Sequence, residues 1–266
     1  MANPILTDKA FAESRQGWAA PDASSRYGVP VTDGPITRYR GGVMTLNGTV
    51  TATGVLFAIC LVAGVFGWNL VKLTDNRVSF PGWILAAVLG GFAVSMLTSF
   101  RPKIARLTGP LYAVIEGVVV GAISHVYDIQ YRGIVLQAVL VTGAVFTVML
   151  VLFATRIVRV TEKMRRVVMT ATLGLMLMYG VSLLFSLFGH APSFWSSASP
   201  LGILLSVAIA GLAAFNLLLS FDLIERNVQA GAPKYMEWYA AFGLFVTVVW
   251  LYLELLRLLS KLQSRR

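Results

Sequence analysis

Seven apolar stretches of about twenty residues, separated by short charged connections, leave this chain few folds to choose from. They run over residues 48–72, 80–100, 109–128, 133–155, 166–189, 198–222 and 235–259. At ~1.5 Å of rise per residue, each is long enough as a helix to cross the ~30 Å of hydrocarbon in a bilayer. Backbone polar groups find no water in that layer, so a spanning segment is a helix or a strand of a closed barrel, and continuous apolar runs select the helix. The expected fold is an all-α membrane protein, a seven-transmembrane-helix bundle over 48–262 in contact with the lipid bilayer. Gly90 with Gly91, and Gly117 with Gly121, offer places where helices can approach closely.

Residues 1–47 read differently. Pro4, Pro21, Pro30 and Pro35 fall among Ser, Asp, Arg and Gly without a helical or alternating period. This is expected to be a largely disordered cytoplasmic tail, and 263–266 a short basic end. No apolar h-region of a secretory signal is visible in the tail, so insertion is expected to begin with the first membrane helix.

The net charge of +10 sits on few ionisable groups, since only 13% of residues are charged against 57% apolar. Lys and Arg cluster between the apolar runs, where lipid headgroups and the positive-inside rule place them, so nucleic acid is not an expected partner. One side collects Arg38, Arg40, Arg101, Lys103, Arg106, Arg156, Arg159, Lys163, Arg165, Arg166, Arg226 and Lys234. The other has Lys72, Arg77, Arg132 and the terminal Arg257, Lys261, Arg265 and Arg266. The amino terminus is therefore assigned to the cytoplasm and, with seven spans, the carboxyl terminus to the outside. The basic carboxyl end speaks against that count; one re-entrant segment would put both termini inside.

Acids are scarce in the spans, and an ionised carboxylate at the bilayer centre costs ~2.5 to 3.5 kcal/mol on insertion scales. Glu116, Asp222 and Glu254 are thus the residues to explain. Asp222 stands at the inner end of segment six, where Arg226 at i+4 can neutralise it or Arg101, at the end of segment two, can latch it. In the latch, protonation or a competing divalent cation releases the pair; otherwise Arg101 only serves the charge bias. Glu116, placed ~10 Å along a segment three that begins after Pro110, needs a hydrogen-bond partner such as Tyr112 or Tyr179 or else lines an ion path. Glu254 has Arg257 at i+3. His125 and Asp128 supply too few ligands for a metal site, His190 lies in an uncharged loop, and Cys60 reads as packing. No nucleophilic triad or phosphate-binding glycine loop is present, so neither an enzyme nor a resident cofactor is expected.

The run FDLIER over 221–226, the closing helix LYLELLRLL over 251–259 and LYAVIEG over 111–117 resemble the transmembrane Bax inhibitor motif family. The likeness covers most of 48–262 and leaves the tail outside. It implies a seven-helix bundle with the last helix central, and for bacterial members a pH-sensitive calcium leak in the plasma membrane. Others are regulators of cell death or of a membrane protease. The family pairs an acid near the end of helix six, matched by Asp222, with an aspartate on helix seven, and an arginine at the end of helix two, matched by Arg101, latches the first. Helix seven departs from that pattern: one alignment puts Thr247 at the aspartate and another puts Glu254 there. A hairpin turning near Gly231 leaves Thr247 ~10 Å and Glu254 ~21 Å from the level of Asp222, which favours Thr247. The second acid of a coupled pair would then be Glu116 or Glu237.

The expected function is a pH-sensitive cation leak, calcium foremost, with acids of separate spans converging on one path. The rival is a non-conducting regulator of a membrane protease or stress-response partner. A secondary transporter is disfavoured, because neither paired repeats nor broken helices are evident.

Overall fold

The computed structural model describes residues 42–74, 77–79, 83–187 and 199–265. Among them are seven α-helices: α1 (Leu46–Leu70), α2 (Trp83–Phe100), α3 (Ala105–Gln130), α4 (Ile134–Ala154), α5 (Glu162–Leu187), α6 (Pro200–Gln229) and α7 (Met236–Gln263). Six are long and apolar enough to cross a membrane; α5, of 26 residues, opens with the charged Glu162, Lys163, Arg165 and Arg166. Among the described residues, the strands are those of a hairpin between α1 and α2, where β1 (Lys72–Thr74) pairs antiparallel with β2 (Arg77–Ser79).

Two helix ends differ from the sequence reading. A 3-10 turn over Pro102–Ile104 leads straight into α3, so Pro110 lies inside the helix instead of starting it. An internal proline forfeits one amide donor, a loss neighbouring helices can absorb in a membrane. Glu116 consequently sits near the middle of α3, deeper than expected. α6 runs on past Asp222 to Gln229 because its buried face does too: Leu223, Ile224 and the polar Asn227 are all buried. Asp222 is therefore a residue of the helix body.

The tightest helix pair is α1 with α3, which run parallel. A methyl group at Gly121 would fall on the backbone of Gly64, and one at Gly117 on that of Cys60. Only hydrogen at these positions lets the two backbones meet. Against this pair lies α7, which also packs on α4 and α6. Its Tyr239, Phe242 and Phe245 are fully buried, with Tyr112 of α3 and Phe57 of α1 set edge-on to them at ring separations of 5.1 Å. α5 is peripheral: it is joined to α6 by a small cluster around Val168 and Leu219.

The last residues of the segment read as a tail are packed. The Met44 amide donates to the Ala232 carbonyl at 2.7 Å, Val43 bridges Pro233, and the Met44 side chain is buried over the α6–α7 turn. The disorder expected of residues 1–41, and the loop position expected of His190, fall outside the described residues.

Candidate functional site

Asp222 projects from α6 into a ring of charge. Its carboxylate accepts from Arg165 of α5 at 2.9 Å and pairs with Arg226, one turn on, at 3.0 Å. Glu162 stands 3.6 Å from Arg165 and 3.7 Å from Arg226, closing a network of two acids and two guanidiniums. The Asp222 side chain is 13% exposed and that of Arg226 45%. Beside them opens a cleft of about 440 Å³, lined by Phe153, Arg156, Val158, Arg159, Val160, Asp222, Glu225, Arg226 and Gln229. Arg156 forms an ion pair with Glu225 across its mouth.

The partner of Asp222 across the helices is thus Arg165 and not Arg101. Arg101 is exposed in the bend between α2 and the 3-10 turn, and among the described residues its guanidinium has no ion pair. The seven-residue step of α5 explains the difference: Arg165, Thr172 and Tyr179 share one face, and that face is turned to α6 and α7.

The other acids do not converge on Asp222. Glu116 lies beside Tyr112 of its own helix, Cys60 of α1 and Gly91 of α2, in the α1–α2–α3 junction. Glu237, in the first turn of α7, accepts from the amide and the hydroxyl of Thr45, each at 2.9 Å. It is 6% exposed and occupies the space that a side chain at residue 48 would take, which Gly48 leaves open. It pins the start of α1, where the helix dipole favours an anion. Glu254, 2% exposed, accepts from Tyr179 and pairs with Arg257 at 3.0 Å. The buried Thr247 donates its hydroxyl to the Gly243 carbonyl within its own helix. His125 stacks on Trp68 at 4.6 Å, and Asp128 caps the Gly133 amide at 2.9 Å. Among the described residues no three of His, Cys, Asp and Glu are grouped to hold a metal ion. Among the described residues the acids of separate spans do not converge on one path: each meets a different local partner.

What the geometry does bring together is a polar seam along the contact of α5, α6 and α7. Its members are Arg165 with Asp222, then Thr172 with Asn216 at 2.9 Å, then Tyr179 with Glu254 and Arg257. At the far end, the Lys261 ammonium, 5% exposed, donates to Ser206 at 2.8 Å and to the Gly202 carbonyl at 3.1 Å. Reading the chain for acids alone misses Arg165, Thr172, Asn216 and Lys261. The signal that finds all of them but Asn216 is the repeat of polar residues at seven-residue steps through apolar helices: 165, 172 and 179 on α5, and 247, 254 and 261 on α7.

Neither the curated proteins nor the solved structures give a match to the chain. A family described as Bax inhibitor 1 like matches residues 3–264, which takes in the amino-terminal stretch that the motif resemblance left outside. With that match running almost end to end over a bundle of apolar helices, the chain belongs to the Bax inhibitor 1 like family.

Proposed function

We propose that the protein is a seven-span bundle of a bacterial plasma membrane, centred on α7, that lets cations, calcium foremost, leak down their gradient under the control of Asp222. The amino terminus is cytoplasmic and the carboxyl terminus outside, and no enzymatic step is involved. The observation that carries this is Asp222 itself, a mostly buried carboxylate held between Arg165 and Arg226 at the lip of the cleft. Protonation removes its attraction for both guanidiniums, and a divalent cation competes with them for its oxygens. Either event unties the start of α5 from α6, whose apolar contact is small. Acidification is thus the releasing direction, and Arg165 takes the latch position that the family likeness gave to Arg101.

Vesicles with entrapped calcium indicator test this. The native protein should leak calcium several-fold faster than protein-free vesicles, with a rate that rises as pH falls. Asp222→Asn, a permanent mimic of the neutral acid, should leak at the fast rate whatever the pH. Equal leak in protein-free vesicles would remove the channel reading.

The scattering of the remaining acids, each satisfied locally, favours a second reading, a non-conducting regulator of a membrane protease or stress-response partner. It requires no flux, and deletion of residues 1–40 would then abolish partner capture.

A further inference from the structure

The charges around the cleft beside Asp222 pair off with one left over. Asp222 and Glu162 answer Arg165 and Arg226, and Glu225 answers Arg156. Arg159 lines the same cleft, is exposed, and among the described residues pairs with no carboxylate. Arg156 and Arg226 also keep donors to spare, since a guanidinium has five N–H groups and these side chains are 61% and 45% exposed.

Arg156 holds its place against the preference of its backbone. It follows the end of α4 with φ 58°, in the left-handed region where a helix commonly stops on glycine. Among the described residues no other non-glycine has a positive φ. Its exposed ion pair with Glu225 contributes too little to account for a strained arginine there. What the strain achieves is position: the guanidinium stands at the mouth of the cleft, 5.8 Å over the Phe153 ring.

The walls beside these cations are apolar. Phe153, Val158 and Val160 line the cleft, and Ile157, on the same turn, is 70% exposed. A free aqueous anion gains nothing from such walls. A phospholipid has apolar parts for them and phosphate oxygens for the guanidiniums, which bind phosphate through charge-assisted and bidentate hydrogen bonds. The volume of about 440 Å³ lies in the range of small-molecule sites, roughly 300–1,000 Å³, and leaves room for glycerol beside a phosphate. One surplus positive charge is what the single negative charge of a phosphodiester neutralises.

We propose that the cleft binds the phosphodiester headgroup of an anionic phospholipid, with Arg159 as the chief contact and Arg156 and Arg226 beside it. Asp222 and Glu225 keep their own partners and disfavour ligands of higher negative charge. The site does not rest on the leak, and its test reads binding alone.

The full chain in neutral micelles is titrated with phosphatidylglycerol and, separately, with phosphatidylcholine, and bound lipid is counted by native mass spectrometry. Phosphatidylglycerol should bind about ten-fold tighter or more, and Arg159→Gln and Arg156→Gly should each weaken it about ten-fold. Glycine suits the left-handed backbone at 156, so that variant removes the guanidinium without threatening the fold. Arg106→Gln, an equal loss of charge at an exposed position outside the cleft, should stay within about two-fold of native. Equal weakening by all three variants would mean diffuse attraction to a basic surface and would overturn the site. Equal affinity for the two lipids would overturn the anionic headgroup. Millimolar inorganic phosphate should leave the lipid bound; displacement by phosphate in the native protein would overturn the lipid and make the ligand free phosphate.

Discussion

Glu237 is the acid whose role the structure changes most, and its replacement gives a quantitative test. Its carboxylate accepts two hydrogen bonds from Thr45 at the start of α1, each at 2.9 Å. Bonds to a charged acceptor contribute roughly 1.5–3 kcal/mol net, against about 0.5–1.5 for neutral pairs. The helix dipole adds about 0.3–1 kcal/mol for an anion in this position. Glu237→Gln keeps the shape and one acceptor oxygen while losing the charge, so it should cost about 2 kcal/mol. Glu237→Ala also strands the Thr45 amide and should cost about 4 kcal/mol. Reversible unfolding in mixed micelles, followed through tryptophan fluorescence, measures both, and hydrogen exchange at Met44 and Thr45 should rise in step with the loss. Calcium leak and its pH dependence should stay as in the native protein. A Gln variant within about 0.5 kcal/mol of native that nevertheless shifts the pH dependence of flux would refute the pinning role and return Glu237 to the ion path.

Gly121→Ala should destabilise by about 1–3 kcal/mol or more, because its methyl meets the Gly64 backbone, whereas Gly143→Ala, with nothing within 4 Å, should not; unfolding midpoints compare them. Arg257→Ala leaves the buried Glu254 without its cation and should cost about 3 kcal/mol in the same assay. Lys261→Met removes a buried ammonium whose acceptors are neutral, so stability should be unchanged or rise by up to about 2 kcal/mol. Arg165→Gln should raise calcium leak at neutral pH towards the rate of Asp222→Asn, while Arg101→Gln should leave it as it was; the reverse order would restore Arg101 as the latch.

The helical segments were legible because hydropathy is a local signal, and each expected segment has its helix. Ends were less so, since polar residues such as Asn227 stay buried where α6 continues beside α7. Gly117 and Gly121 announced a close contact, yet their partners on α1, Cys60 and Gly64, could be found only in three dimensions. The site was harder to read because burial cost draws attention to acids, while what an acid does depends on its partner. Asp222 stood out as an unusual residue, but its cross-helix partner came from α5, whose basic start had an adequate explanation in the positive-inside rule. Glu237 looked like a path residue because nothing in a one-dimensional reading brings the first turn of α7 against Thr45, 192 positions earlier.

The partners also rank the acids by how readily each can respond to solution. Glu237 is held by an amide and a hydroxyl of one residue, and releasing it exposes the start of a helix. Glu254 is enclosed with Tyr179 and Arg257 and is 2% exposed, so its loss from the network leaves an unpaired charge in the interior. Asp222 alone of the three has a second acid beside its partners: Arg226 is nearly half exposed, and Glu162, more exposed still, stands 3.6 Å from Arg165 and 3.7 Å from Arg226, placed to take up both guanidiniums when Asp222 lets go. Its release is therefore partly compensated, where that of the other two is not. A proton or divalent ion arriving from the cleft should act first at Asp222, and the element freed is α5, whose apolar contact with α6 is a small cluster around Val168 and Leu219. If α5 amides, corrected for the intrinsic fall of exchange with pH, were no less protected at pH 5 than at pH 8 while those of α6 were, the moving part would be the wrong helix and this ordering of the acids would fail.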